Sequence, residues 1–230
     1  MTKILNSIRE FVKPKYEKLK CWVHKWHHVE RVAYYSGILA ELENADKESC
    51  IIAAYCHDLG RIEEEKLKTE KGSSSPHPLL SIEPTIKILQ ENGISGVKFS
   101  EIIEAIIVHS YKIYDGNNKV AQILQDADKM AGLGFHGILD AVKYFGGKDY
   151  IDSKKIRDNQ KDSRKLKEFC GEIFRKIEKD VLEKTLRGLK FKSEWFDMLH
   201  TESAKKIIRK DYEDFEWARN KLINLEQSSF

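Results

Sequence analysis

Apolar side chains along this chain recur every three to four residues and almost nowhere alternate, so the pattern reads as one helix after another with almost no strand signal. Ile4, Leu5, Ile8, Phe11 and Val12 lie on one helical stripe, with a break predicted near Pro14. The next helix is predicted over about 27–42, with Val29, Val32, Ala33, Ser36, Gly37 and Ala40 as a close-packing face. Asp46 is suited to N-cap a third helix through Ile51, Ala54, Tyr55 and Leu59, stopped by Gly60. His57 and Asp58 then fall in its last turn. Further helices are predicted over about 79–90, over 101–109 with Ser100 as N-cap, and over about 120–133. From 161 onward the chain reads as highly charged helix, ending with one over about 201–225. The fold class expected is all-α.

Two stretches interrupt the periodicity. Residues 63–78 are charged at first and then rich in Ser, Gly and Pro (Gly72, Ser73, Ser74, Ser75, Pro76, Pro78), the composition of an exposed, mobile, lid-like loop. Residues 150–163, rich in Asp and Lys, read as a connector. The expected organisation is a single domain over 1–230, with a core at about 20–145 and C-terminal helices at about 160–228 packed on it.

Composition narrows the function classes. Forty basic against 37 acidic side chains are interspersed, which speaks against a nucleic-acid binder. No apolar run reaches the roughly 18 residues needed to span a bilayer, and the first ten residues are too polar for a signal peptide, so a soluble, cytoplasmic protein without membrane partners is expected. Cys21, Cys50, Cys56 and Cys170 form no CxxC pair and are expected to be reduced packing residues.

Chemistry concentrates in three places: His28, the dipeptide His57-Asp58, and Asp126-Ala127-Asp128-Lys129. Two imidazoles and hard carboxylate oxygens from separate helices are the ligand chemistry of a hydrolytic divalent-metal site, with either Asp126 or Asp128 able to supply the last oxygen. Mixed N/O ligation suits Mn²⁺, Fe²⁺, Co²⁺ or Zn²⁺ better than a thiolate-preferring ion. An open position would let such an ion lower the pKa of a bound water and neutralise charge on a phosphoryl oxygen.

These strings carry a resemblance. His28-Val-Glu-Arg31-Val32, Ala53-Ala54-Tyr-Cys-His57-Asp58-Leu-Gly60 and Gln125-Asp126-Ala-Asp128-Lys-Met are similar, in order and spacing, to the successive motifs of the HD-domain metal-dependent phosphohydrolase superfamily. The likeness extends through His77-Pro-Leu-Leu-Ser81, Ile106-Ile-Val-His109-Ser110, Gly132-Leu-Gly134 and Thr201-Glu-Ser-Ala-Lys-Lys to a bacterial and archaeal subgroup, some members of which hydrolyse nucleoside triphosphates at a pyrophosphate linkage. The resemblance implies an HD-domain helical bundle with additional C-terminal helices. It also implies the metal ligands His28, His57, Asp58 and Asp128, leaving Asp126 to orient a histidine or a helix end. The implied cofactor is a divalent ion, Mn²⁺ foremost, with Fe²⁺, Co²⁺, Zn²⁺, Ni²⁺ or Mg²⁺ also compatible.

His77 and His109 resemble positions that bind a second ion in two-metal HD enzymes and face substrate phosphates in one-metal members; one-metal use is preferred here. On this basis Asp58, Glu64 and His109 are candidate catalytic residues, while Arg31, Arg61, His77, Lys129 and Tyr111 are candidate substrate-binding residues. His24 and His27, beside Trp22 and Trp26, read as surface or interfacial, and His136 and His200 have no motif support. Two departures stand out: Arg61 where relatives carry an acid, and Lys25 where they often carry Asp. The function expected is metal-dependent hydrolysis of a small phosphate ester or anhydride, a nucleotide in the first instance, by a protein whose homodimerisation is left open. A non-catalytic nucleotide-sensing module is the alternative, and the absence of a Gly-Tyr-Pro motif lowers a cyclic-dinucleotide phosphodiesterase.

Overall fold

The computed structural model describes residues 2–67, 76–146 and 162–228. All regular elements among them are helical: α1 (Lys3–Glu17), α2 (Trp26–Leu42), α3 (Lys47–Cys56), α4 (Arg61–Leu67), α5 (His77–Leu80), α6 (Ile82–Glu91), α7 (Gly96–Val108), α8 (Lys119–Ala131), α9 (Gly134–Gly146), α10 (Ser163–Phe174), α11 (Lys179–Lys192) and α12 (Glu202–Ser228), with a short 3₁₀ turn at Trp22–His24. The fold is therefore all-α. Among the described residues no helix is long and apolar enough to cross a membrane.

The chain divides into two compact units: residues 1–128 with 198–204, and residues 129–197 with 205–230. In the first unit α3 is the central helix, packed on α1, α2 and α7. Its sequence, KESCIIAAYC, has no polar side from Cys50 onward, and Cys50 to Cys56 are all buried. A helix apolar all round belongs in a core. Asp46 caps it by accepting from Ser49 N at 2.8 Å. The predicted small-residue face of α2 is buried as expected. All four cysteines are free thiols, and burial pushes Cys50 and Cys56 up to about 12, leaving them inert packing groups.

The second unit has its own core of Phe135, Ile138, Leu139, Val142, Leu166, Cys170, Ile173, Leu189 and Phe215, contributed by α9 to α12. Asp162 caps α10 by accepting from Lys165 N. The expected connector, 150–163, lies outside the described residues except for Asp162 and Ser163.

Several boundaries differ from the sequence reading. Helix α1 runs through Pro14 to Glu17. Pro14 is exposed, and the last turn is anchored by Tyr16, fully buried, whose hydroxyl donates to Tyr55 O at 3.0 Å. The predicted helix over 79–90 is two helices meeting at Ser81, because Pro84 has no N–H to offer the preceding turn. Helix α7 starts at Gly96, and Ser100 lies inside it with its hydroxyl donating to Val97 O. The exposed Val97 hid that first turn from the apolar pattern. Residues 63–67, expected in the loop, are helical in α4, stabilised by Glu63 and Glu64 in the first turn and by i,i+3 pairs Arg61–Glu64 and Lys66–Glu63. The loop's Ser- and Gly-rich part, 68–75, lies outside the described residues.

Candidate metal centre

Helix α3 stops at Cys56, and His57 and Asp58 occupy the turn beyond it rather than its last turn. Two i→i+3 bonds, Leu59 N to Cys56 O and Arg61 N to Asp58 O, tighten this corner into α4. Neighbouring side chains on a regular helix diverge by about 100°, and the tight corner is what lets both point to one place. Gly60 is required there because a Cβ on it would lie 2.1 Å from His77 O and 2.7 Å from Ser81 N. Ser81, fully buried, locks the crossing: its Oγ accepts from Gly60 N and lies 2.8 Å from the carbonyl oxygens of His57 and His77.

The histidine orientations follow from backbone carbonyls. His57 Nδ1 sits 2.8 Å from Ala54 O, and His109 Nδ1 sits 2.6 Å from Ile106 O. A carbonyl can only accept, so each Nδ1 carries the proton and each Nε2 presents a lone pair. His57 Nε2 is buried without a hydrogen-bond partner among the described residues, 3.6 Å from Asp58 Oδ2.

Around Asp58 the ligand-type atoms form two trios, His28–His57–Asp58 and Asp58–His77–His109, each with all atoms within 4.8 Å of one another. The carboxylate serves both: Oδ2 faces His57, while Oδ1 lies 3.2 Å from His77 Nε2 and 3.8 Å from His109 Nε2. Asp128 joins through His28, whose Nε2 is 3.2 Å from Asp128 Oδ1. His77 Nε2 lies 3.0 Å from His109 Nε2, so His77 donates to the lone pair that the Ile106 carbonyl leaves on His109.

Electrostatics are those of ligands kept deprotonated. Burial opposes ionisation of Asp58, but the Arg61 guanidinium beside it holds it well below the carboxylate range. Asp128 is lowered against burial by its hydrogen bond from His28. Burial lowers His57 and takes His77 down to about 3. Neutral imidazoles and ionised carboxylates are the forms that bind a divalent cation. The orphaned Nε2 of His57 and the hard N/O donor set fit such an ion, although nothing in the set discriminates Mn²⁺ from its neighbours.

The other predicted residues divide. Arg61 is at the site, its Nε 3.2 Å from Asp58 Oδ1 and its NH1 2.9 Å from Glu64 Oε2, so Arg61 bridges Asp58 and Glu64. Arg31 lies on α2 one turn beyond His28. Tyr111 has an exposed side chain in the turn after α7, and Lys129 is buried in the second unit.

Three histidines outside the predicted set take different places. His24 is half-buried: its ring meets His28 edge-on at 6.3 Å, its Nδ1 is 3.1 Å from Cys21 Sγ, and desolvation pushes it down to about 3. The i,i+4 spacing to His28 was the available signal. His27 is buried and stacked on Trp22 at 4.2 Å. His200 bonds Gln125 Oε1 at 2.8 Å. Asp126, fully buried, supplies no oxygen to either trio. It caps the start of α12, with Oδ1 accepting from His200 N and Oδ2 from Thr201 N and Thr201 Oγ1.

The HD domain family profile matches residues 26–133. No curated protein gives a significant sequence match. Among solved structures the chain is similar to Bacillus subtilis YpgQ in complex with ADP, at 22% identity over 96% of this chain and 93% of that one, with a TM-score of 0.59. A Lactobacillus plantarum protein matches over the whole of both chains at 17% identity and a TM-score of 0.65. A predicted HD superfamily hydrolase from an uncultured Thermotogales bacterium matches at 23% identity over 75% of this chain and 88% of that one, with a TM-score of 0.50. At these identities the structural likeness is one of fold. Residues 26–133, the stretch that matches the HD domain family, contain His28, the His57-Asp58 corner and Asp128.

Proposed function

We propose that this protein is a metal-dependent phosphohydrolase acting on a phosphate ester or anhydride of a nucleotide, with cleavage of a nucleoside triphosphate to release pyrophosphate as its reaction. The observation that carries the reading is the lone pair of His57 Nε2, buried, unpartnered among the described residues, and turned toward Asp58 beside His28. His28, His57, Asp58 and Asp128 would hold the divalent ion, Mn²⁺ foremost, which supplies Lewis-acid activation of water and charge neutralisation at phosphorus.

The chain's own residues do the rest. Ala54 O and Ile106 O keep His57 and His109 in the Nδ1–H tautomer. His109 Nε2 is then a base, and His77 Nε2–H a donor, on the Oδ1 side of Asp58. Arg61, steered by Glu64, presents a guanidinium at the same edge, where it would meet an anionic phosphoryl group. The nucleotide preference draws support from the fold shared with YpgQ, which binds ADP in its solved complex.

The test is metal content of the purified protein, followed by phosphate and pyrophosphate release from a panel of nucleoside triphosphates with added Mn²⁺. Mn²⁺-dependent pyrophosphate release is the expected outcome. Phosphate release alone would replace the pyrophosphohydrolase assignment with a phosphatase, and bound metal without turnover would replace it with the sensing module.

A further inference from the structure

Gln125 is fully buried and lies three residues before Asp128 on α8. All of its carboxamide contacts are directional. Nε2 donates to Val108 O at 2.7 Å and to Tyr111 O at 3.2 Å, while Oε1 accepts from Tyr114 N at 3.2 Å. Because Nε2 faces two carbonyl oxygens, the amide has one permitted orientation. His200 Nε2, 2.8 Å from Oε1, must then carry a proton and donate it.

Val108 immediately precedes His109. The ring of His109 is hooked to its own helix by Ile106 O, and the peptide carrying it is hooked to α8 by Gln125. One side chain therefore sets the spacing between the helix bearing Asp128 and the turn bearing His109. His200 is in turn held through its backbone N–H, which donates to Asp126 Oδ1 at 2.7 Å. Gln125 and Asp126 on α8 thus grip His200 and Thr201 at the entry to α12, and residues 198–204 belong to the same compact unit as the metal centre. A buried carboxamide that satisfies two carbonyls, one amide and one imidazole tolerates little displacement, since each lost partner leaves a buried polar group unpaired.

We propose that Gln125, oriented by His200, is the positioning residue for His109. The proposal rests on the hydrolase reading only for its kinetic consequence; its structural consequence stands without it. Gln125→Glu keeps the shape and the accepting oxygen but replaces the donor to Val108 O and Tyr111 O with an acceptor. His200→Leu removes the orienting donor, and His200→Gln restores one.

The experiment compares imidazole ¹H–¹⁵N correlations in the metal-free, histidine-labelled full chain, alongside Mn²⁺ content and steady-state kinetics on the nucleotide turned over by the wild type. In Gln125→Glu and His200→Leu the His109 resonances should shift while those of His57 hold, and His200→Gln should bring them back. Mn²⁺ content should stay at the wild-type level, with kcat falling about tenfold or more and KM staying within about twofold. Unmoved His109 resonances in a folded variant would overturn the proposal, as would an unchanged kcat. A wild type without turnover would sink the hydrolase reading and leave the resonance test intact. Should Gln125→Glu not fold, His200→Leu, altering a half-buried side chain, carries the same comparison.

Discussion

His57 and Asp58 are adjacent in sequence, yet Nε2 of one and Oδ2 of the other face each other at 3.6 Å, with His57 Nδ1 committed to Ala54 O. A carboxylate and an imidazole lone pair held at that separation, with no proton between them, are two electron-rich groups that a cation reconciles. The corner after α3 maintains the arrangement, and the most direct prediction tests it. Asp58→Ala removes the carboxylate that serves both trios and should reduce bound metal to background in elemental analysis, with far-ultraviolet circular dichroism close to wild type. Metal retained at wild-type stoichiometry would refute the assignment.

A second prediction concerns acid. His24 and His77 are pushed by burial down to about 3, and His57 is lowered for the same reason. These rings stay neutral in the fold where the unfolded chain protonates them, at about 6.5 and below. The unfolded state then binds more protons, so stability is full above about pH 6.5 and falls as pH drops toward 3. Asp58 and Asp128, both held low in the fold, contribute stability above about pH 4 that is lost as pH falls through their folded values. Thermal midpoints of chelator-treated protein should therefore decline steadily between pH 7 and pH 5. A flat profile would contradict the burial of these rings.

Gly60 provides a steric test of the corner. Gly60→Ala drives a methyl against His77 O and Ser81 N, both backbone atoms that cannot rotate away. The expected loss is about 1–3 kcal/mol in denaturant midpoint analysis, together with weakened metal binding, because relief requires α5 to move and to carry His77 with it. Stability and metal content equal to wild type would show that the approach is looser than described.

Asp126 offers a contrast with its neighbour two residues on. Its carboxylate accepts from His200 N, Thr201 N and Thr201 Oγ1. Asp126→Ala leaves those donors without their acceptor and should destabilise the chain by roughly 2 kcal/mol while metal content is retained. Loss of metal at unchanged stability would reverse the roles given to Asp126 and Asp128.

Much of this was legible before any coordinates. The 3.6-residue recurrence identified α2, α3, α8 and the all-α class, because a helix that buries one face must repeat its apolar residues at that period. The His28, His57-Asp58 and Asp128 strings were readable because ligand chemistry restricts residue type. Pro14 and Glu63–Glu65 misled, since local propensity was outweighed by the anchoring of Tyr16 and by salt bridges that turned a charged run into α4, while the apolar period over 79–90 hid the break at Ser81.

What the sequence determined by itself was composition along each helix: which faces are apolar, and which side chains can bind a cation. What only the tertiary structure decided was convergence. That His57 and Asp58 point to one place depends on the tight corner and on Gly60 lying against α5. That His77 and His109 share Asp58, that His24 stands edge-on to His28, and that Asp126 grips the entry to α12 while Asp128 reaches His28 depend on contacts between residues 4 to 100 positions apart. Periodicity reports one helix at a time, whereas a site is a property of several helices held together by buried bonds whose partners no local pattern identifies.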